Sequence, residues 1–189
     1  MGLCNVVYEV SYRHIKYPRL ELRTGRLLLV LPFGCDPVTV LDKHRGWVHA
    51  KAKFISECLE DSLNKELANR SDAEFKSLVY TLAEKASSEL AVKVNGVFFR
   101  LMKTKWASCS AKGNLTVNKL MKRLPEELIN YVIFHEVAHL IERKHNEIFW
   151  RIVSKKFSNI EAIERDLFTY WFYCRPFEEP ANRCQTPVS

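Results

Sequence analysis

An α+β fold is predicted by three features of the 189-residue sequence. Two separate regions are rich in β-branched and apolar residues, as strands are. Longer stretches carry apolar residues at helical spacing, and Gly, Pro, Asn and Asp punctuate the junctions. Hydrophobic residues make up 47% and charged residues 27%, which supports a sizeable core and excludes a disordered chain.

The elements follow in order. "VVYEVSYR" and "RLELRTGRLLLVLP" read as an N-terminal antiparallel β-meander with a turn at Thr24-Gly25. "CDPVTV" starts a helix, with Asp36 as N-cap and Pro37 in the first helical position. That helix is expected to run to about Asp61, with Gly46 weakening its middle. "LNKELANR" lacks a core pattern and reads as a connection. The next helix opens with Ser71 and Glu74 in capping-box spacing and presents Phe75, Leu78, Val79, Leu82 and Ala86 on one face. "VNGVFFRLMKTKW" and "GNLTVNKL" read as two strands joined through the turn-forming "ASCSAKGN". Pro125, Glu126 and Glu127 open a further helix, with acids where the helix dipole favours them. Two more helices are expected, one from about Asn146 with Phe149, Trp150, Val153 and Phe157, and one over "EAIERDLFTYWFY".

This pattern divides into an N-terminal β-meander and helix lobe (1–70), a second α+β region (71–175) and a loosely structured tail (176–189), together forming one compact unit. The longest apolar run, from Leu27, is far too short to span a bilayer, and no secretory signal or lipidation motif is evident. The expectation is a soluble, cytoplasmic protein without membrane partners. Six scattered cysteines lacking any C-x-x-C pair then read as reduced thiols.

The net charge of +7 is local. Lys93, Arg100, Lys103, Lys105, Lys112, Lys119, Lys122 and Arg123 lie in a segment, 93–123, that contains no acid. Such a segment suits an anionic substrate or partner, nucleic acid included; equally, it suits a solvated sheet edge guarded by lysines.

The chemistry concentrates in "HEVAHLIERKH", His135 to His145. On a helix His135 and His139 lie within about 40° of one another, so two imidazoles can grip one metal ion. Glu136 is offset to the side, where its carboxylate can reach water on that metal without ligating it. Apolar residues on the back of the helix (Ile129, Val132, Ile133, Val137, Leu140, Ile141) predict that it is buried, which makes unpartnered histidines costly. His145 follows six residues after His139, and a straight helix would place it about 120° off the ligand face. To become the third ligand it needs a chain reversal near Glu142 to Lys144 without a glycine, one of these residues adopting a left-handed conformation. Asn146 would cap the helix that follows. The competing third ligands are Glu147, Glu161 and Glu164.

Three ligands leave an open, catalytic position; Cys109 as a fourth would close the site and make it structural. The leading expectation is therefore a zinc-dependent hydrolase holding one Zn²⁺, or another divalent ion, with Glu136 activating a metal-bound water for peptide-bond cleavage. A nucleotide or phosphoanhydride hydrolase using the same centre, and a nucleic-acid-binding module with a structural metal, are the alternatives. Tyr131, one turn before His135, is placed to donate to a ligand or oxyanion or simply to pack; Trp106 reads as a core anchor more than a stacking surface.

Two further stretches carry a resemblance. "KWASCSAKGNLTVNKLMKRLP" follows a W-G-S-C-S, turn, N-x-x-L pattern, with Ala107 in place of the glycine. "INYVIFHEVAHLIERKHNEIFW" follows Y-V-x-x-H-E-x-x-H with a third His six residues on and a Phe-Trp pair, with Lys144 where Asn or Gly commonly precedes that His. The chain in these respects resembles the YgjP-like zinc metallopeptidases, relatives of SprT-like and WLM proteins. The resemblance implies a zincin-like catalytic domain whose active-site helix lies beside a small antiparallel sheet. It also implies His135, His139 and His145 as zinc ligands, Glu136 as base, and an edge strand that receives an extended substrate.

Overall fold

The most continuous apolar run takes the centre of the first sheet. In the computed structural model, which describes residues 8–23 and 26–174, strand β3 (Arg26–Leu31) lies between β1 (Tyr8–Tyr12) and β2 (Arg19–Arg23). β2 pairs with β3 antiparallel and β1 pairs with it parallel. The expected antiparallel meander is thus corrected to a hairpin flanked by a parallel strand. A meander would centre β2, where Arg19 and Glu21 alternate with Leu20. The sheet instead centres the strand apolar on both faces, burying Leu27, Leu29, Val30 and Leu31 almost completely. The Thr24-Gly25 turn lies outside the described residues, as do the tail 176–189, Cys4 and Cys184.

Asp36 caps α1 (Pro37–Lys43) as expected, accepting from the N–H groups of Val38 and Thr39 at 3.3 and 2.9 Å. The helix does not continue to Asp61. It breaks at His44 (φ −112°, ψ 23°), and α2 (Arg45–Ser62) begins at the next residue. Gly46, the weakest helix former in the stretch, lowers the cost of that break. The break lets Val40, Leu41 and Val48 all pack on the Leu27, Leu29 and Leu31 cluster.

The larger core lies further along the chain. α3 (Asp72–Glu89) has the predicted capping box, Ser71 and Glu74 each satisfying the other's backbone N–H, and it buries Phe75, Val79, Leu82 and Ala86. The second sheet contains β4 (Gly96–Arg100), β5 (Ala107–Cys109) and β6 (Asn114–Asn118) in the order β4–β6–β5. β5 falls in the segment expected to be only a turn, since three residues are too few to display alternation. β4 runs parallel to β6, so this sheet is mixed rather than antiparallel.

The parallel pairing needs the 101–106 connection to cross over, and Asn118 holds that connection in place. Its side-chain amide donates to the carbonyls of Met102 and Lys105 at 2.9 and 2.8 Å, while its Oδ1 accepts from Leu120 N–H. Asn118 is fully buried. Asn118→Ala should destabilise the protein by at least about 2 kcal/mol, because two carbonyls lose their buried donor. Urea unfolding that shows an unchanged midpoint would contradict this. The β5–β6 turn requires Gly113, at φ +72°, where a Cβ would sit 2.7 Å from the Lys93 carbonyl.

After a 3-10 helix (Lys119–Arg123) come α4 (Glu126–Ala138), α5 (Glu147–Ser154) and α6 (Ile160–Cys174). The fold is α+β, as predicted. α4 is its most buried helix, with Ile129, Tyr131, Ile133, Phe134 and Val137 enclosed by α3, the second sheet, α5 and α6. Arg165 on α6 pairs with Glu57 and Asp61 on α2 at 3.2 and 2.9 Å. Cys35, Cys58, Cys109 and Cys174 are free thiols. Among the described residues no helix is long and apolar enough to cross a membrane.

Candidate metal centre

Helical spacing places His135 and His139 on one face of α4, and the chain reversal after it brings His145 to them. The Nε2 atom of His145 lies 3.0 Å from the Nε2 of His135 and 3.0 Å from that of His139. The reversal is not made as expected. None of Glu142, Arg143 and Lys144 is left-handed; Ala91 is the one non-glycine residue with positive φ among the described residues. The helix unwinds through short bonds, Leu140 N–H to Val137 O and Ile141 N–H to Ala138 O, at 3.0 and 2.9 Å. The Glu142 carboxylate then accepts the Lys144 N–H at 2.9 Å, and the Lys144 carbonyl accepts the Asn146 N–H at 2.8 Å. A side chain thus organises a turn that elsewhere would call for glycine. Asn146 caps α5 through Phe149 N–H at 3.1 Å, as predicted.

The turn also fixes a tautomer. His139 Nδ1 lies 3.0 Å from the Glu142 carbonyl, which can only accept, so the proton is on Nδ1 and Nε2 presents a lone pair. Burial, reinforced by the neighbouring His139 and His145, pushes the His135 pKa down to about 3. Burial also lowers that of His145, with His139 adding to the effect. Two neutral rings therefore aim Nε2 at a third, and His135 Nδ1 is buried without a hydrogen-bond partner. Nitrogen lone pairs packed this closely repel one another unless a cation sits among them. The donor set fits a divalent metal that favours imidazole. None of Glu147, Glu161, Glu164 and Cys109 belongs to the cluster.

Beneath the rings lies Phe149, fully buried, with centroids 4.8, 4.5 and 4.7 Å from His135, His139 and His145. Trp150 stacks on His145 at 5.5 Å. Sequence reading places this Phe-Trp pair on a core helix; only the structure shows that it forms the floor that orients the imidazoles.

Glu136 points to the other side, toward β5, where its Oε2 accepts the Cys109 N–H at 2.9 Å. Burial raises its pKa above the usual carboxylate range, against the opposing pull of His139, the Cys109 N–H and Lys105. The Cys109 thiol is pushed up to about 11 by burial and by the Glu136 charge, so it stays protonated. The residues open onto a cleft of about 910 Å³ whose walls include Lys105, Trp106, Arg143, Leu167 and Trp171. Trp106 is half-buried at this wall, its indole N–H donating to the Leu167 carbonyl at 3.3 Å and its ring edge-on to Trp171. The Tyr131 hydroxyl donates to Glu164 Oε1 at 2.9 Å.

A pH dependence follows from the depressed histidines. Their folded pKa values lie below the unfolded value near 6.5, so the unfolded chain binds more protons as pH falls through that value. The metal-free protein should therefore lose stability from pH 7 down to about 5. The raised Glu136 works in the opposite sense at the acid end of that window. A thermal midpoint that stays flat or rises over this range would contradict the assignment.

No curated protein sequence matches the chain. Among solved structures, the chain is similar to the metallopeptidase zymogen of Pyrococcus abyssi abylysin, at 32% identity and TM-score 0.45, covering 49% of this chain and 93% of that one. It is also similar to the zymogen of Methanocaldococcus jannaschii jannalysin, at 28% identity and TM-score 0.42, covering 47% and 90%. Residues 56–170, which include the three histidines, Glu136 and the cleft residues other than Trp171, match the metallopeptidase domain of the YgjP-like family. The chain belongs to the YgjP-like metallopeptidase family.

Proposed function

We propose that the protein is a zinc-dependent peptidase in which His135, His139 and His145 hold one Zn²⁺ and Glu136 is the general base. The observation that carries this reading is the convergence of three Nε2 atoms, those of His135 and His139 each 3.0 Å from that of His145, with the half-buried Glu136 carboxylate alongside. Bound by these three imidazoles, zinc would supply Lewis acidity, lowering the pKa of a water and polarising a scissile carbonyl.

The chain's own groups supply the rest. Cys109 N–H fixes Glu136 Oε2, so Oε1 is left to take a proton from water and later hand it to the leaving amine. Its raised pKa suits that transfer, since a carboxyl nearer neutrality both accepts and returns a proton readily. β5 is an edge strand packed against α4, which gives an extended peptide a backbone ladder beside Glu136. Lys105, from the acid-free segment 93–123, and Arg143 also line the cleft, where they favour carboxylates on the substrate.

The reading is tested with zinc-loaded wild type and Glu136→Gln on a panel of unstructured peptides, nucleoside triphosphates and single-stranded oligonucleotides. Peptide cleavage lost in the variant supports it. Phosphate release lost in the variant, with no peptide cleaved, would replace it with a phosphoanhydride hydrolase.

A further inference from the structure

Glu164 stands at the cleft with a charge that the proposed hydrolysis does not use. It is solvent-exposed and lies on α6, in the wall of the cleft that contains the three histidines. Its Oε1 is anchored by the hydroxyl of Tyr131, a side chain only 2% exposed, so the carboxylate is held in place by a buried donor. Burial and the Glu164 charge together keep that phenol protonated. Among the described residues no Lys or Arg pairs with Glu164, whereas its helix neighbours Arg165 and Asp166 are both engaged in ion pairs. Its second oxygen is available to a ligand.

The surroundings narrow the kind of ligand. Leu167, Phe168 and Trp171 follow Glu164 at helical spacings of three, four and seven, so all four share one face of α6, and all four line the cleft. Trp106 closes against Trp171 at 4.8 Å. A fixed carboxylate at one end of an apolar and aromatic stripe matches a positively charged group attached to a bulky apolar one.

We propose that Glu164, oriented by Tyr131, binds a substrate ammonium group whose adjoining apolar side chain lies along Leu167, Phe168 and Trp171. The ammonium is either a peptide's free N-terminus or a lysine side chain. The inference rests on the peptidase reading, because it supposes a peptide in this cleft, but it is measured by binding rather than by turnover.

The experiment uses zinc-loaded Glu136→Gln protein and calorimetric titration with three peptides of one length. The first begins with a free-amine Phe, the second is its N-acetylated form, and the third is N-acetylated with Lys after the Phe. The free-amine or the lysine peptide should bind about tenfold more tightly than the plain acetylated one, as expected for an exposed charge-assisted hydrogen bond. Which of the two is favoured identifies the source of the ammonium. Adding Glu164→Gln should bring the ratio to near one with zinc content unchanged, and Tyr131→Phe, which keeps the carboxylate but frees it, should reduce the ratio in part. Equal or undetectable affinity for all three peptides overturns the proposal. So does a preference that survives Glu164→Gln, or a loss of zinc in that variant, which would make Glu164 a support of the metal centre. Failure of wild type to cleave any peptide counts against the peptidase reading alone, since the affinity ratio is read without turnover.

Discussion

Glu136→Gln is expected to lower peptide hydrolysis by about 10²–10⁴-fold while leaving the bound metal in place. The exchange is nearly isosteric, and a glutamine Oε1 can still accept the Cys109 N–H that positions Oε2 now. What it loses is the ability to take a proton, and so the loss should fall on kcat more than on KM. The metal is unaffected because Glu136 lies outside the group of ring nitrogens that face one another. Steady-state kinetics and metal analysis on the same sample check both halves. Retained activity removes Glu136 from the role of base, and lost metal makes it a ligand.

His145→Ala should weaken metal binding by more than about a hundredfold, exceeding the usual effect of losing a group that merely supports a ligand. This position separates metal binding from folding better than the other two histidines do. His145 is exposed, whereas His135 in α4 and His139 at its C-terminal cap are half-buried. Its truncation costs surface ring contacts with Phe149 and Trp150, and the stability of the metal-free variant separates that cost from metal loss. Were Glu147, Glu161 or Glu164 the third ligand, the same variant would bind metal with nearly native affinity. Competition with a chromophoric chelator, alongside urea unfolding of the metal-free proteins, decides between them.

The part of this site that sequence reveals is the part set by local geometry. His135, Glu136 and His139 follow from 3.6 residues per turn and a helix whose back is apolar. His145 is legible through its resemblance to a family pattern, but the way it arrives is not. No propensity announces that the Glu142 side chain will replace a glycine by accepting a backbone N–H two residues on. β5 escapes for a different reason: three residues cannot show a period, yet one of them supplies the N–H that fixes Glu136. The same limit applies to topology. Alternation identifies strands, while the choice of β3 and β6 as central strands depends on which faces are buried and on long-range pairing, Asn118 to the 101–106 connection included. The break at His44 is a tertiary decision too, made where Gly46 offers little resistance.

The proposed hydrolytic centre is one metal ion held by the imidazoles of His135, His139 and His145 beside the half-buried Glu136 carboxylate. It is tested most directly by adding zinc to the metal-free protein and following peptide cleavage as a function of zinc per chain. Activity should rise in proportion to zinc up to one equivalent and then stop, and Glu136→Gln should take up the same equivalent without becoming active. Cleavage that proceeds without metal, that requires a second equivalent, or that appears in the zinc-loaded Glu136→Gln protein would contradict the claim.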